Sequence, residues 1–433
     1  MIELINIIIQ IIYIYFLTLF PLNKEHLSKS KNYISISYLD IATANLTLHM
    51  LILLCISFFS VKYIHIFYFQ IIFGLWYSLK LILSKKNFSL NKNYFLQFSL
   101  FFTITFILSI DVATNLTLGW DSQFRWIIKA LNFYQGNSIS NLVNFTDPEY
   151  PHFGSYLWGF FWKVSILDYE YAGRIFYLAL FTISILSFCE IFEFNKFRCM
   201  IVSLLIIIIA YKYIYFNGYQ DIIIFSLLIF ISKNLYLVLY KKIHHKIYYV
   251  LIMSNLVLVS WIKTEGFLYS IFILIALFFF NKSKKLMIFQ FLFLIFIILT
   301  KFLVYQIFDF PITLQGETYN KQIFDFDFKI LIDRFQIVTK FYIIFLFNNL
   351  LMLFSLISLI FLAFNNFKIP IVKFLILFYI LNLSFIYTSH LFMNIENIDY
   401  WITHTIPRFM IQTTGIYILS IVLIFNITLK NNK

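Results

Sequence analysis

Long apolar runs constrain this sequence more than any other feature. A membrane span takes roughly 20 mainly apolar residues, and about thirteen stretches meet that requirement. They are predicted near residues 2–21, 43–60, 64–82, 94–110, 172–191, 199–216, 221–240, 247–262, 266–281, 285–306, 338–364, 371–390 and 408–428. Only 12% of the residues are charged, whereas a soluble domain has about a quarter. The sequence therefore predicts an all-α integral membrane protein with about thirteen transmembrane helices in contact with membrane lipids.

Clusters of lysine and arginine occur in every second connection between the apolar runs. They are Lys24 with Lys29 and Lys31, Lys80 with Lys85, Lys86 and Lys92, Lys196 with Arg198, Lys241 with Lys242 and Lys246, Lys282 with Lys284 and Lys285, Lys368 with Lys373, and Lys430 with Lys433. By the positive-inside rule these connections face the cytoplasm, and segments 111–171, 217–221, 263–265, 307–337 and 391–407 face outside. Because the basic residues follow this topological pattern, the net charge of +13 does not indicate nucleic acid as a partner.

The apolar runs divide the chain into three parts. Residues 1–110 are predicted as N-terminal transmembrane helices, 111–171 as a large external loop, and 172–433 as a transmembrane core with external loops 307–337 and 391–407. Within the first loop, residues 153–164 are apolar over only about a dozen positions, which is too short for a span. We therefore expect a juxtamembrane helix at the external interface that begins after Pro151.

The loop 111–171 concentrates ionisable and tryptophan side chains in a chain that otherwise has few polar residues. Tryptophan favours the membrane–water boundary, and ionisable groups beside apolar helices are costly unless they have a function. Asp121, which follows Trp120 and precedes Arg125, is the first candidate for a catalytic carboxylate, and Asp111 is the second. Two simpler interpretations stay open: Asp121 as the cap of the following helix, and Asp111 as an interfacial anchor.

A series of short motifs follows in order along the chain, all on the predicted external face. They are Trp120-Asp121-x-x-x-x-Trp126-x-x-Lys129, Glu149-Tyr150-Pro151-His152, Asn217-Gly218-Tyr219-Gln220-Asp221, Trp261-x-Lys263-Thr264-Glu265-Gly266, and Arg408 with Gln412. In this order they resemble the polytopic glycosyltransferases of the C-type fold (GT-C), which take sugars from polyprenyl phosphates. That group includes bacterial dolichyl-phosphate-mannose-mannosyltransferase-like and aminoarabinose-transferase-like enzymes. The resemblance covers residues 95–430, and the order of the motifs carries it.

The resemblance implies a membrane glycosyltransferase in which 111–171 is the catalytic loop. The implied donor is a polyprenyl-phosphate sugar, and the implied acceptor is a lipid-linked glycan or another cell-envelope molecule. The implied location is the bacterial inner membrane, with the active site on the external face. The implied catalytic residues are Asp121 and Asp111. The implied substrate-binding residues are Lys129, Tyr150, His152, Asp221, Lys263, Glu265 and Arg408.

The residue types support the same chemistry. Transfer of a sugar from a lipid phosphate needs a base for the acceptor hydroxyl, and a carboxylate beside cations and apolar surface meets that need. The departing phosphate needs a fixed cation. Arg408 is the first candidate, because arginine offers phosphate two parallel donors, and Lys263 is the second. A single carboxylate without a covalent intermediate predicts inversion of the sugar anomer.

Simpler roles stay open for the binding candidates. Lys263 with Glu265 is also explained as a local ion pair, Asp221 as a helix cap, and Arg408 as an anchor to lipid headgroups. No cofactor is indicated with certainty, but two groups of residues leave open a divalent cation. They are Asp147 with Glu149, and His390 with Glu396, Asp399 and His404.

The alternative function is a transporter or flippase of lipid-linked glycans. Transporters hold ionisable residues near the bilayer midplane, often in repeated halves. Here the acidic residues lie at the ends of predicted spans on one face, and the sequence has no evident internal repeat. The sequence therefore favours an enzyme over a transporter.

Overall fold

The computed structural model describes residues 2–23, 37–83, 92–145, 147–194, 196–214, 216–243, 245–280, 284–311, 328–392 and 398–431. Within these ranges the chain forms helices joined by turns and loops, and no strand occurs. The helices are α1 (Ile2–Thr18), α2 (Tyr38–Ser57), α3 (Tyr63–Leu83), α4 (Lys92–Thr114), α5 (Ile127–Tyr134), α6 (Phe153–Lys163), α7 (Tyr171–Cys189), α8 (Lys196–Tyr211), α9 (Asp221–Leu235), α10 (Lys246–Ile262), α11 (Thr264–Phe280), α12 (Lys284–Ile307), α13 (Phe328–Asn348), α14 (Leu350–Asn366), α15 (Pro370–Leu391) and α16 (Ile398–Asn431). The all-α prediction is therefore confirmed for the described part of the chain.

Seven of the described helices are long and apolar enough to cross a membrane. The spans are Tyr38–Ser57, Phe95–Thr114, Tyr171–Cys189, Asp221–Tyr240, Lys285–Ile307, Pro370–Leu391 and Asp399–Leu429. The pair α13 and α14 adds an eighth candidate if it counts as one bent span, and α1, α10 and α11 are shorter apolar helices. The chain is thus a multi-pass membrane protein. By length and composition it has seven or eight candidate spans, fewer than the thirteen or so expected from the apolar runs.

Burial separates the helices at the centre of the bundle from those at its edge. Every residue of α7 is buried, and 94% of the span in α9 is buried, whereas only 11% of the span in α12 is. The exposed side chains of α12 are mainly large and apolar, among them Phe289, Leu292 and Phe296. In water such a surface would be an interaction site, but in a bilayer it matches the lipid tails. We infer that α12 faces lipid and that α7 and α9 form the core.

Two of the predicted spans differ from the observed helices. The run 338–364 is divided between α13 and α14, whose axes meet at 101°. Asn349 lies at the break and caps α14 by accepting a hydrogen bond from the backbone N–H of Met352 (3.1 Å). The last helix begins at Ile398, ten residues before Arg408, so Arg408 lies inside α16 rather than at its first turn.

The predicted external loops contain helices. Loop 111–171 includes α5 and α6, and α6 follows Pro151 as the sequence predicts. Residues 328–337 of the predicted loop 307–337 belong to α13, and residues 398–407 of the predicted loop 391–407 belong to α16. The polar stretch 312–327 and Glu396 lie outside the described residues.

Polar contacts define two ends of the bundle. At one end, which we call the Glu190 end, Glu190 after α7 accepts hydrogen bonds from Gln97 at the start of α4 (2.6 Å) and from Lys233 near the end of α9 (3.1 Å). Lys233 also pairs with Asp40 at the start of α2 (2.5 Å). The end of α4, the starts of α7 and α9, and the turn between α10 and α11 lie at the other end. We call it the Asp121 end, and it carries the motifs.

Candidate functional site

Five of the predicted site residues meet at the Asp121 end. Arg408 in α16 donates from Nη1 to Asp121 (2.5 Å) and from Nε to Asp221 (3.0 Å). Lys263 pairs with the other oxygen of Asp221 (3.0 Å) and with Glu265 (3.3 Å). Asp121 and Arg408 are 287 residues apart in sequence. We call these five residues the ion-pair cluster.

Burial grades the cluster from a closed interior to a more open edge. The side chains of Asp221 and Lys263 are each 2% exposed, whereas those of Asp121 and Arg408 are 11% and 15% exposed. Asp221 also accepts a hydrogen bond from Gln412, one turn after Arg408 in α16. Asp221 therefore pairs with two cations, Lys263 and Arg408. Asp121, Glu265 (13% exposed) and one edge of Arg408 remain the parts that a ligand can reach.

Helix ends bring Asp221, Lys263 and Glu265 together. Asp221 is the first residue of α9 and Glu265 lies in the first turn of α11, where the helix dipole favours a negative charge. Lys263 joins α10 to α11 in an extended conformation (φ −148°, ψ 164°). Gly266 lets the two helices pack closely, because a Cβ on it would lie 2.2 Å from the carbonyl oxygen of Val259.

A turn after α8 holds the loop that carries Asp121. The N–H of Gly119 donates to the carbonyl oxygen of Asn217 (2.9 Å). A Cβ on Gly119 would lie 2.1 Å from the ring of Tyr219, so the loop lies against that ring and a larger residue would displace it. The guanidinium of Arg408 lies 4.5 Å from the centre of the same ring, within the range of a cation–π contact. Tyr219, which stands two residues before Asp221 in the sequence, thus contacts both the loop and α16.

The simpler roles that the sequence leaves open can now be compared with the geometry. Asp121 has helical backbone angles and makes no capping hydrogen bond. Asp221 lies within α9, whose N-cap residue is Gln220. Arg408 directs its guanidinium to two carboxylates of the protein. Only the local pair between Lys263 and Glu265 is present as that interpretation expects, and it is part of the larger cluster.

Arg125 extends the cluster into the loop 111–171. Its Nη1 lies 3.5 Å from Asp121, and its Nε donates to Asp147 (2.5 Å). Its guanidinium also lies 4.8 Å from the centre of the Tyr150 ring. Asp121 is therefore flanked by two arginines, one from its own loop and one from α16.

Lys129 and His152 belong to the same loop, but their side chains are buried. The ammonium of Lys129 donates to the carbonyl oxygens of Asp147 (2.7 Å) and Tyr150 (3.0 Å), and burial lowers the pKa of Lys129 to about 7. His152 hydrogen-bonds to the hydroxyl of Ser57 in α2 (2.7 Å), and burial lowers its pKa to about 3. Both side chains are at most 2% exposed. In this geometry they hold the loop in position and do not line its open side.

Asp111 lies outside the ion-pair cluster. Its exposed carboxylate, at the end of α4, accepts a hydrogen bond from the hydroxyl of Tyr211 at the end of α8. It also lines an open cavity that includes Asn217. Among the described residues no ion pair or hydrogen bond joins Asp111 to Asp121. The two predicted catalytic carboxylates are therefore not brought together as a pair.

The two groups that left open a divalent cation do not form a ligand set in the described ranges. No three His, Cys, Asp or Glu side chains there are arranged to hold a metal ion. Asp147 pairs with Arg125 instead. His390 bonds to the hydroxyl of Thr405 (2.6 Å), and His404 bonds to a backbone carbonyl of its own helix (2.7 Å).

Lys301 is a neighbour of the cluster that the sequence analysis does not single out. It lies in α12, where its ammonium is 4.5 Å from the centre of the Phe267 ring and donates to the carbonyl oxygen of Ser260 (3.4 Å). Glu265, on the same α10–α11 hairpin, has a buried carboxylate oxygen without a hydrogen-bond partner among the described residues. A lysine inside an apolar span is itself a signal of function, and this one stands in the run 285–306.

Comparisons with known proteins add no family to these observations. No family model, no curated protein and no solved structure matches the chain. The function is therefore argued from the motifs and from the geometry of the site.

Proposed function

We propose that the protein is a membrane glycosyltransferase. It moves a sugar from a polyprenyl-phosphate donor to a lipid-linked glycan or another cell-envelope acceptor. The observation that carries the proposal is the ion-pair cluster, in which the partly exposed carboxylate of Asp121 lies between the fixed cations Arg125 and Arg408. A base and a cation side by side suit sugar transfer from a phosphate, because the base accepts the proton of the acceptor hydroxyl and the arginine binds the departing phosphate. The proposed active site faces the outside of a bacterial inner membrane, opposite the lysine-rich connections.

In the proposed reaction the acceptor hydroxyl oxygen attacks the anomeric carbon of the donor sugar. The bond from that carbon to the phosphate oxygen breaks, and its electron pair leaves with the polyprenyl phosphate, which gains one negative charge. The hydroxyl proton passes to Asp121. Arg408 stabilises the charge on the departing phosphate, and Lys263 adds a second positive charge from the interior of the cluster. A single displacement of this kind inverts the anomeric configuration.

Donor binding would change the partner of Asp121. In the structure Asp121 is paired with Arg408, so its carboxylate is already engaged. A phosphate that binds Arg408 competes with Asp121 for the same guanidinium and releases the carboxylate when a base is needed. Asp221 meanwhile holds the Nε of Arg408 (3.0 Å) and keeps the guanidinium in place. In this mechanism Asp121 is the catalytic residue and Asp221 is a positioning residue.

The finer architecture that we propose is GT-C-like, with about thirteen spans and an external catalytic loop that contains α5 and α6 as interfacial helices. The five further crossings would be α1, α3, α8, α10 and α11. Contacts at the helix ends support this count. Lys241 after α9 pairs with Glu193 before α8, whereas Tyr211 at the end of α8 reaches Asp111, so α8 runs from the Glu190 end to the Asp121 end. Likewise α12 returns to the Asp121 end, where Tyr305 reaches the loop 111–171.

The test is sugar transfer in membranes that contain equal amounts of each variant, with a radiolabelled polyprenyl-phosphate sugar as donor. We expect Asp121→Asn to lower transfer by about 10²–10⁴-fold with donor binding retained, because it removes the base. We expect Arg408→Ala to weaken donor binding. The matched control is Asp168→Asn, which neutralises an exposed acid of the same loop whose partner is Tyr134.

Two outcomes would contradict the proposal. Undiminished transfer by Asp121→Asn removes Asp121 from the mechanism. If the wild-type protein consumes no donor while lipid-linked glycan crosses the membrane, the flippase function replaces the enzyme.

A further inference from the structure

A second polar cavity opens at the Asp121 end, separate from the ion-pair cluster. It lies between the end of α4, the start of α7 and the turn after α8, and its volume is about 200 Å³. Its polar and aromatic lining consists of Asp111, Asn115, Arg174, Tyr211, Phe216 and Asn217. Ligand pockets for drug-sized molecules are about 300–1,000 Å³, so this cavity has room for a smaller group.

The charge of the cavity favours a ligand without an anionic group. The charge of Arg174 is paired within the protein: it forms two parallel bonds to Glu170 (2.9 Å each), and its Nη1 also donates to the carbonyl oxygen of Phe216 (3.4 Å). Asp111 pairs with no cation in the described part of the chain, and only the hydroxyl of Tyr211 donates to it. The cavity therefore carries one uncompensated negative charge, which repels phosphate and carboxylate.

The hydrogen-bonding groups of the cavity favour a ligand rich in donors. The side-chain oxygen of Asn217 is buried and has no hydrogen-bond partner among the described residues, and the carboxylate of Asp111 is exposed to the cavity. Both are acceptors. The stacked rings of Tyr211 and Phe216 (centroids 4.8 Å apart) add an apolar wall. Hydroxyl donors on one edge and an apolar face on the other are the combination that a sugar ring presents.

We propose that this cavity binds one neutral or amino sugar ring through Asp111 and Asn217. The backbone of Asn217 also holds Gly119, two residues before Asp121, so a sugar in the cavity contacts the same turn that supports the ion-pair cluster. The identification of this sugar as part of the acceptor glycan rests on the proposed function. The binding site itself does not depend on it.

The test is binding of methyl glycosides of glucose, galactose, mannose and glucosamine to the purified protein, measured by saturation-transfer NMR. We expect at least one to bind, and we expect Asp111→Asn and Asn217→Leu each to weaken it by about tenfold or more, through loss of a charged or buried acceptor. Asp121→Asn should retain binding. The methyl glycoside of glucuronic acid should not bind, because Asp111 repels its carboxylate.

Three results would overturn the inference: no glycoside binds the wild-type protein, binding is unchanged in both cavity variants, or the glucuronide binds as tightly as the glucoside. Thermal unfolding of each variant checks that a loss of binding is not a loss of folding. Transfer assays separate the two proposals. If sugar transfer is absent while glycoside binding depends on Asp111, the proposed function fails and the binding site stands. If transfer occurs and Asp111→Asn leaves the acceptor KM unchanged, the acceptor assignment fails.

Discussion

At the scale of single residues, burial divides the carboxylates of the cluster into two kinds. Asp221 is 2% exposed and is held by Lys263, Arg408 and Gln412. Removing one partner of a buried ion pair costs about 3–5 kcal/mol, so a change of charge at Asp221 in every catalytic cycle would be expensive. Asp121 lies at the open edge with 11% exposure and can exchange its partner more cheaply. Glu265 is 13% exposed, so burial excludes Asp221 but does not separate Glu265 from Asp121. We assign proton transfer to Asp121 because it alone of the two lies between Arg125 and Arg408 among the described ion pairs.

His152 predicts a dependence of stability on pH. Burial lowers its pKa to about 3, from about 6.5 for a free histidine. Between those values the unfolded chain binds a proton that the folded chain does not, so the free energy of unfolding decreases as the pH falls. The decrease from this group is at most about 1.4 kcal/mol per pH unit. Above about pH 6.5 the histidine is neutral in both the folded and the unfolded chain, so this group then takes nothing from the free energy of unfolding.

The measurement is the midpoint of thermal unfolding in detergent at about pH 7 and pH 5, the range in which this group begins to destabilise the fold. We expect His152→Gln to lose less stability on acidification than the wild-type protein. His65→Gln, at an exposed position, is the control and should keep the wild-type dependence. Equal losses in all three proteins would show that His152 is not held neutral by burial.

The sequence identifies the members of the cluster but, apart from the local pair of Lys263 and Glu265, not their partners. The motifs name Asp121, Asp221, Lys263, Glu265 and Arg408, and the structure brings all five together. Their pairing depends on the packing of α9, α11 and α16, which no local pattern records. For the same reason, Lys129 and His152 stand in the motifs beside exposed residues although their side chains point inward.

At the scale of helices, Gly266 sets the distance between α10 and α11. A Cβ at this position would lie 2.2 Å from the carbonyl oxygen of Val259, which is backbone and cannot move alone. We expect Gly266→Ala to separate the two helices and to destabilise the protein by about 1–3 kcal/mol, the usual cost of overpacking. Because Lys263 lies in the connecting turn, donor affinity should fall as well.

Thermal unfolding and donor binding measure both effects. Thr264→Ala, in the same turn, is the matched control, since its side chain makes no hydrogen bond in the described ranges. An unchanged unfolding midpoint in Gly266→Ala would show that the hairpin tolerates the extra methyl group, and that the close packing is not required.

Apolar runs predict the presence of helices better than their ends and bends. Hydropathy is continuous across 338–364, but the polar cap at Asn349 turns the chain by 101° between α13 and α14. Hydropathy also places the beginning of the last span at 408, whereas α16 begins ten residues earlier, at Ile398, and continues through Pro407. Length explains most of the lower count of candidate spans: α1, α10 and α11 each have 17 residues and α8 has 16, fewer than the roughly 20 that usually span a bilayer. It does not explain α3, which has 21 residues.

At the scale of the whole molecule, polar groups are collected at two opposite ends of an apolar bundle. The Glu190 end is tied by Lys233 and Asp40, and the Asp121 end by the ion-pair cluster. Each set joins helices that are distant in sequence, so charged groups fix the ends. The middle packs mainly through apolar side chains, with a few hydrogen bonds between helices, such as Ser420 to the carbonyl oxygen of Ser355 (2.6 Å). The sequence predicts basic connections on the cytoplasmic face and the motifs on the external face. We therefore predict that the Glu190 end faces the cytoplasm and that the Asp121 end faces outside.

The topology depends on whether α8 crosses the membrane. This helix has 16 residues and is not among the long candidate spans. If α8 crosses the membrane, three helices lie between Asp168 and Lys246, and the two positions face opposite sides. If only the long spans α7 and α9 cross, the two positions face the same side. In a cysteine-free background, we expect Asp168→Cys to react with an impermeant maleimide added outside intact cells, and Lys246→Cys to react only after permeabilisation. Lys163→Cys, in the same loop as Asp168, should label like Asp168→Cys, and external labelling of Lys246→Cys would contradict the crossing by α8.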